Sequence, residues 1–252
     1  MLCKVASLKG FRLHAVDGDL GTVKELVFDD RHWTTRYLVA ETGNWLHEHQ
    51  VLITPLALWA VDATKESIEV NLTKKQIEAS PLLETDMPVS RQFEESYHMF
   101  FGWPLYWDGE NTWGNYPFLV QAREKGNTSP STGKSWNPLL RSTHDVTGYA
   151  IHAADGEIGH VEDFLTDPET WTIRYLIVDT SNWWVGRRVL IAPRWIGKID
   201  WETTSVTVNL TREAIKASPE YTDGINFNRQ YEEALHTHYD AKGYWVAERE
   251  AS

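Results

Sequence analysis

A single cysteine, Cys3, stands in 252 residues, so no disulfide can form within the chain. Nowhere do apolar residues run unbroken for the roughly 18 to 20 positions that a membrane-crossing helix needs, and no transmembrane segment is expected. The opening residues lack the charged, apolar and small-residue series of a secretory leader, which together with the cysteine count makes a reducing, cytoplasmic setting the expectation. Cations are scarce: 24 Lys and Arg stand against 36 Asp and Glu, for a net charge of −12. Without a basic stripe there is no footprint for releasing counterions from phosphates, and no nucleic-acid partner is expected. Also missing are a phosphate-cradling Gly-rich loop and a nucleophile elbow. The expectation is therefore no enzyme, no catalytic residue and no cofactor.

What the chain does have is a copy of itself. Residues 10–107 align with 148–245 at a constant offset of 138, without a gap. His14-Ala15-Val16-Asp17-Gly18 returns as His152-Ala153-Ala154-Asp155-Gly156, and Val70-Asn71-Leu72-Thr73 returns as Val208-Asn209-Leu210-Thr211. Such self-similarity marks an internal duplication. It divides the chain into a first repeat over 1–107, a linker over 108–143 and a second repeat over 144–252.

Each repeat reads as short strands followed by helices. Leu20 to Phe28, Thr35 to Ala40, Val51 to Thr54 and Ser67 to Leu72 are rich in apolar and β-branched residues, and their counterparts repeat the series. Asp17-Gly18 and Asp155-Gly156 mark the first turn of each repeat. Pro55 and Pro193 end strands by removing a ladder donor. Thr73 and Thr211 suit the N-cap of one short helix, and Ser90 and Asn228 suit that of a second, with Glu three or four positions on. Phe93, Tyr97, Phe100 and Phe101 recur at helical spacing and predict an apolar helix face.

The string Asp-Gly-x-[Leu/Ile]-Gly-x-Val, then Trp-Thr-x-Arg-Tyr-Leu-[Val/Ile], Thr-x-Asn-Trp and Val-Leu-Ile-x-Pro, occurs twice, over about 8–73 and 146–211. It resembles the PRC-barrel domain, found in the cytoplasmic part of the photosynthetic reaction-centre H subunit and in the C-terminal domain of the ribosome-maturation factor. The resemblance implies a mainly β fold: two tandem small β-barrels, each followed by short helices and related by a pseudo-twofold. It also implies a docking module rather than a catalyst. The membrane helix of the H subunit has no counterpart here.

Several residue groups invite chemistry. His47-Glu48-His49 offers two imidazoles and a carboxylate, a frequent part of a zinc shell. Its counterpart is Val185-Gly186-Arg187 and no fourth ligand accompanies it, so no metal site is expected. Asp17, Asp29, Arg36 and His98 recur as Asp155, Asp167, Arg174 and His236. A hairpin would set Asp29 beside Arg36 and Asp167 beside Arg174 as structural cross-strand pairs. Thirteen tryptophans are present, four of them (Trp103, Trp107, Trp113 and Trp136) after the first repeat's strands. Large aromatics outside a small core make interfaces. Tyr97, Phe101, Trp103 and Trp107, with Tyr239 and Trp245, are the expected partner-binding residues, and the helical extensions are expected to meet. The leading function is a non-enzymatic adaptor that binds a protein complex, associates peripherally with a membrane protein's cytoplasmic face, or pairs with itself as a homodimer. The alternatives are a small-ligand or metal-binding stress protein and a hydrolytic enzyme.

Overall fold

A computed structural model of the chain describes residues 2–43, 46, 49–84, 89–107, 140–180, 187–223 and 227–246, with the side chains of His49, Gln50 and Glu84 left out. The first elements are β1 (Cys3–Lys4), α1 (Val5–Leu8), β2 (Arg12–Ala15), β3 (Gly18–Asp29), β4 (Thr34–Glu41) and β5 (His49–Ile53). Then come β6 (Leu58–Asp62), β7 (Ser67–Val70), α2 (Lys74–Ala79), β8 (Leu83–Glu84) and α3 (Arg91–Phe101). The second series is β9 (Leu140–Ser142), α4 (Thr143–Val146), β10 (Ala150–Ala153), β11 (Gly156–Thr166), β12 (Ile173–Asp179) and β13 (Arg188–Ile191). It closes with β14 (Ile196–Asp200), β15 (Ser205–Val208), α5 (Arg212–Ala217) and α6 (Arg229–His238).

Over the described residues the protein is mainly β, with two sheets and a few short helices. One sheet runs β6-β7-β2-β3-β4-β5-β8 and carries β9 on β3; the other runs β14-β15-β10-β11-β12-β13 and carries β1 on β11. The order is the same in both, and so is the register. Leu13 pairs with Gly21 as Ile151 pairs with Gly159, and Val27 pairs with Tyr37 as Leu165 pairs with Tyr175. Even the Gln50 to Leu83 pair of β5 and β8 has its equivalent in an isolated bridge between Arg188 and Tyr221.

The repeated glycine motif has a steric cause. Gly21 and Gly159 sit at φ 132° and 147°, and a Cβ on them would lie 2.0 Å from the Glu41 carbonyl oxygen and 1.9 Å from that of Asp179. Only glycine lets β3 and β11 pass their neighbours there. The preceding aspartates cap helices: the Lys74 N–H donates to Asp17 Oδ1, and the Arg212 N–H to Asp155 Oδ1, both at 2.7 Å. Negative charge at a helix N-terminus is favourable. Thr73 forms a capping box with Gln76, while Ser90 and Asn228 accept the N–H of Phe93 and Tyr231.

Two contact units emerge, and they do not follow the repeat boundaries. Met1–Ser7 belongs with Ser142–Val246, whereas Arg141 belongs with the unit that begins at Leu8. The leading segment thus sits in the other repeat's sheet, a long-range pairing that no local pattern encodes. Of the residues between the repeats, 108–139 lie outside those described, and with them Trp113 and Trp136. β1, β2, β6 and β8 add to the four strands read in the first repeat; all are short, and β6 reads Leu-Trp-Ala-Val-Asp, an apolar run without the alternation of a half-buried strand.

Candidate functional site

In the first repeat, α3 lies across the sheet through its polar residues as much as its apolar ones. Tyr37 on β4 is completely buried, and its hydroxyl lies 3.1 Å from both Glu94 Oε1 and His98 Nε2 of α3. The Tyr106 hydroxyl donates to the same Glu94 oxygen at 2.6 Å. His98 Nδ1 lies 2.9 Å from the Pro104 carbonyl, which can only accept, so Nδ1 carries a hydrogen. Above this group the Arg36 guanidinium lies 4.0 Å from the Tyr106 ring, and Arg91 lies 3.8 Å from the Trp107 ring. Cations over aromatic faces are stabilised by the ring quadrupole.

The second repeat builds the same cluster at the same offset. The Tyr175 hydroxyl is 3.1 Å from Glu232 Oε1 and 2.9 Å from His236 Nε2, Tyr244 donates to Glu232 at 2.9 Å, and His236 Nδ1 is 3.2 Å from the Lys242 carbonyl. Arg174 lies 3.9 Å from the Tyr244 ring and Arg229 lies 4.1 Å from the Trp245 ring. Burial governs the charge states. It lowers His236 to about 4, with the Arg194 charge adding to it, and it also moves His98 below its ordinary value. Burial also raises Glu232 against the opposing hydrogen bond from Tyr244 and the charge of Arg229. All three shifts favour neutral side chains. A neutral ring with Nδ1–H accepts at Nε2, so the tyrosine hydroxyl faces two acceptors with one proton of its own.

Beside each cluster is the acidic hairpin residue. Arg36 Nη2 bonds Asp29 Oδ2 at 3.1 Å, and Asp29 also takes the Arg31 N–H at 2.8 Å and His32 Nδ1 at 2.8 Å. Burial would raise its pKa, but His32 and Arg36 outweigh it and hold Asp29 at about 2. Arg174 Nη2 is 3.2 Å from Asp167 Oδ2, and Asp167 takes the Glu169 N–H and the Thr170 hydroxyl, each at 3.0 Å. The first pair is the deeper: side-chain exposure is 0% and 2%, against 10% and 18% in the second.

The aromatic residues expected to face a partner pack on their own units. Tyr97 is buried in a cluster with Val27, Tyr37, Val39, Leu52, Leu83 and Val89, and its hydroxyl donates to the Leu52 carbonyl. Phe93, Phe101 and Trp103 are half-buried against that cluster. Trp245 is buried against His236, and Tyr239 packs at 4.6 Å, tilted by 53°, against Trp195. Trp107 is half-buried beside Tyr106 and His98. Phe100 departs from the predicted apolar face and stands outward with Met99. In the sequence Glu94 and Glu232 stand out only as helix-start residues; the signal that ties them to the cluster is their recurrence 57 positions after a recurring tyrosine.

Among the described residues, no group of three or more His, Cys, Asp or Glu is placed to hold a metal ion. His47, Glu48 and the side chain of His49 lie outside the described residues. No described helix is long and apolar enough to cross a membrane. No family model matches the chain. Over 81 residues it is 35% identical to an uncharacterized protein of Deinococcus radiodurans, a match spanning 32% of this chain and 29% of that protein. The matched segment thus covers less than a third of the relative's length.

Proposed function

We propose that the chain is a non-enzymatic, cytoplasmic adaptor made of two PRC-type barrels, and that its docking surface for a protein partner lies on the first repeat. The observation that carries this reading is an asymmetry between otherwise equivalent repeats. Val16, Trp59, Met99 and Phe100 are the exposed large hydrophobics among the described residues, at 68%, 79%, 76% and 47%. Their counterparts 138 positions on are Ala154, Gly197, Thr237 and His238. The second repeat keeps the same sheet without them, so the scaffold does not require them. Large apolar side chains kept on a surface without a folding role are the anchors of interfaces.

The buried clusters support a structural rather than a catalytic role. A catalytic acid or base must reach a substrate proton, whereas Tyr37, Glu94, His98 and Arg36 are all buried and bonded to one another, to Asp29 or to backbone. Buried side-chain hydrogen bonds of this kind favour one packing of helix on sheet. The test is affinity capture from the native host by the wild-type chain and by a chain carrying Trp59→Ala, Met99→Thr and Phe100→His, the last two taken from the second repeat. Loss of the captured partner at unchanged melting temperature is expected. Capture of the same partner at full strength by the triple variant would move the docking role elsewhere.

A further inference from the structure

The two edges of β11 are served unequally. β12 follows one edge from His160 to Thr166, while β10 follows the other only from Gly156 to His160. Tyr149 and Gly148 still bond Val161, so residues 162–166 would show an open edge, with backbone donors and acceptors ready for any extended chain. β1 fills it: Lys4 pairs with Leu165 and Cys3 with Thr166, antiparallel. The Ala6 N–H donates to Asp163 Oδ1 at 3.1 Å, Lys4 Nζ lies 2.6 Å from Asp223 Oδ1, and Val5 is buried.

The segment equivalent to β1 and α1, 138 residues on, is β9 and α4. It does not serve β11. β9 pairs with β3, the long strand of the first repeat, at the edge that β2 leaves at Thr22. Leu140 packs against the core cluster that holds Val27, Tyr37 and Tyr97, and Arg141 Nε lies 3.0 Å from Asp30 Oδ2. Each repeat's leading arm completes the sheet of the other.

From this reciprocity we infer that the far half of β3 and β11 is a strand-docking site whose occupant is the leading arm of a different repeat, and that a second copy of this chain can supply it. The exchange is isologous: equivalent arms meet equivalent edges, the arrangement that two separate copies of a single repeat would form as a symmetric pair. Joining the repeats through residues 108–139 makes the exchange intramolecular and raises the arm's effective concentration. The covalent joint is then dispensable once both arms are seated.

The test uses the full chain with a protease recognition sequence inserted after Gly133 and cut after folding. The two pieces are expected to co-elute under native conditions at the size of the intact 29.0 kDa chain. When cut chains with an affinity tag on the first piece are mixed with cut chains that carry a fluorescent label on the second piece, complexes holding both tag and label are expected. Arg141→Glu should weaken the association of the cut pieces roughly tenfold or more, since it sets like charges together at a half-buried site, and Asp30→Arg in the same chain should restore it. Lys4→Glu, on the other arm and facing the more exposed Asp223, should weaken it by a smaller factor. Pieces that separate on cutting overturn the inference. So do pieces that stay together with an affinity indifferent to both charge reversals, because another surface would then be holding them.

Discussion

Arg36 and Arg174 occupy equivalent positions, yet burial gives them different weights. Removing Arg36 leaves Asp29 buried with only His32 and backbone donors, so Arg36→Ala should cost about 3 kcal/mol, at the low end for breaking a buried pair. Arg174→Ala should cost less, because Asp167 is more open to water. Urea unfolding of the two variants decides it, and equal losses would contradict the assigned difference. The titrating groups act in two pH windows. Asp29 is held at about 2 against an ordinary value of 3.8, so its stabilisation is complete above 3.8 and is lost as pH falls toward 2. His236 is lowered to about 4 from 6.5, so the unfolded chain binds the proton first. Stability should fall from pH 6.5 toward 4, with a slope of up to about 1.4 kcal/mol per pH unit. His236→Gln should flatten that slope; an unaltered slope in the variant would remove His236 as its source. The Asp29 to Arg36 pair was legible from hairpin spacing, seven residues apart. The meeting of Tyr37 with Glu94 and His98 was not, because it depends on how α3 docks across a sheet.

At the scale of elements, two glycines carry more than their size suggests. An alanine at Gly21 or Gly159 would meet a carbonyl oxygen at 2.0 or 1.9 Å in a backbone region that side chains rarely adopt. Gly21→Ala and Gly159→Ala should each cost several kcal/mol, made up of about 1 to 3 for the dihedral strain and the rest for the clash. Gly10→Ala has nothing within 4 Å and should cost only the strain of φ 87°. Thermal melts of the three variants should rank in that order, and a Gly10 variant as unstable as the other two would refute the steric reading. The local sequence was a good guide to the elements with local signals: capped helices, the Asp-Gly turn and the long apolar strands. It was a poor guide to β1, β9 and β6. Two or three residues of arm carry no period, and β6 faces Trp59 and Ala60 outward.

For the whole molecule, duplication serves as an internal control. What both repeats keep, the Tyr37 and Tyr175 clusters and the passing glycines, belongs to the scaffold; what only the first keeps on its surface, Trp59, Met99 and Phe100, is free to serve a partner. In the first repeat Phe93, Tyr97 and Phe101 of the aromatic helical face lie on their own sheet while Phe100 stands outward, because a small sheet needs a helix to cover its core. The division of labour between buried cluster and exposed surface is the central claim, and paired variants test it directly. Partner capture is measured by affinity purification, alongside melting temperature, for the Trp59→Ala, Met99→Thr, Phe100→His chain and for a Glu94→Gln, Glu232→Gln chain. The first should lose the partner and keep its melting temperature, and the second should melt lower while its folded fraction keeps the partner. A surface variant that captures the partner as the wild type does, or a cluster variant that loses it while melting unchanged, would contradict the account.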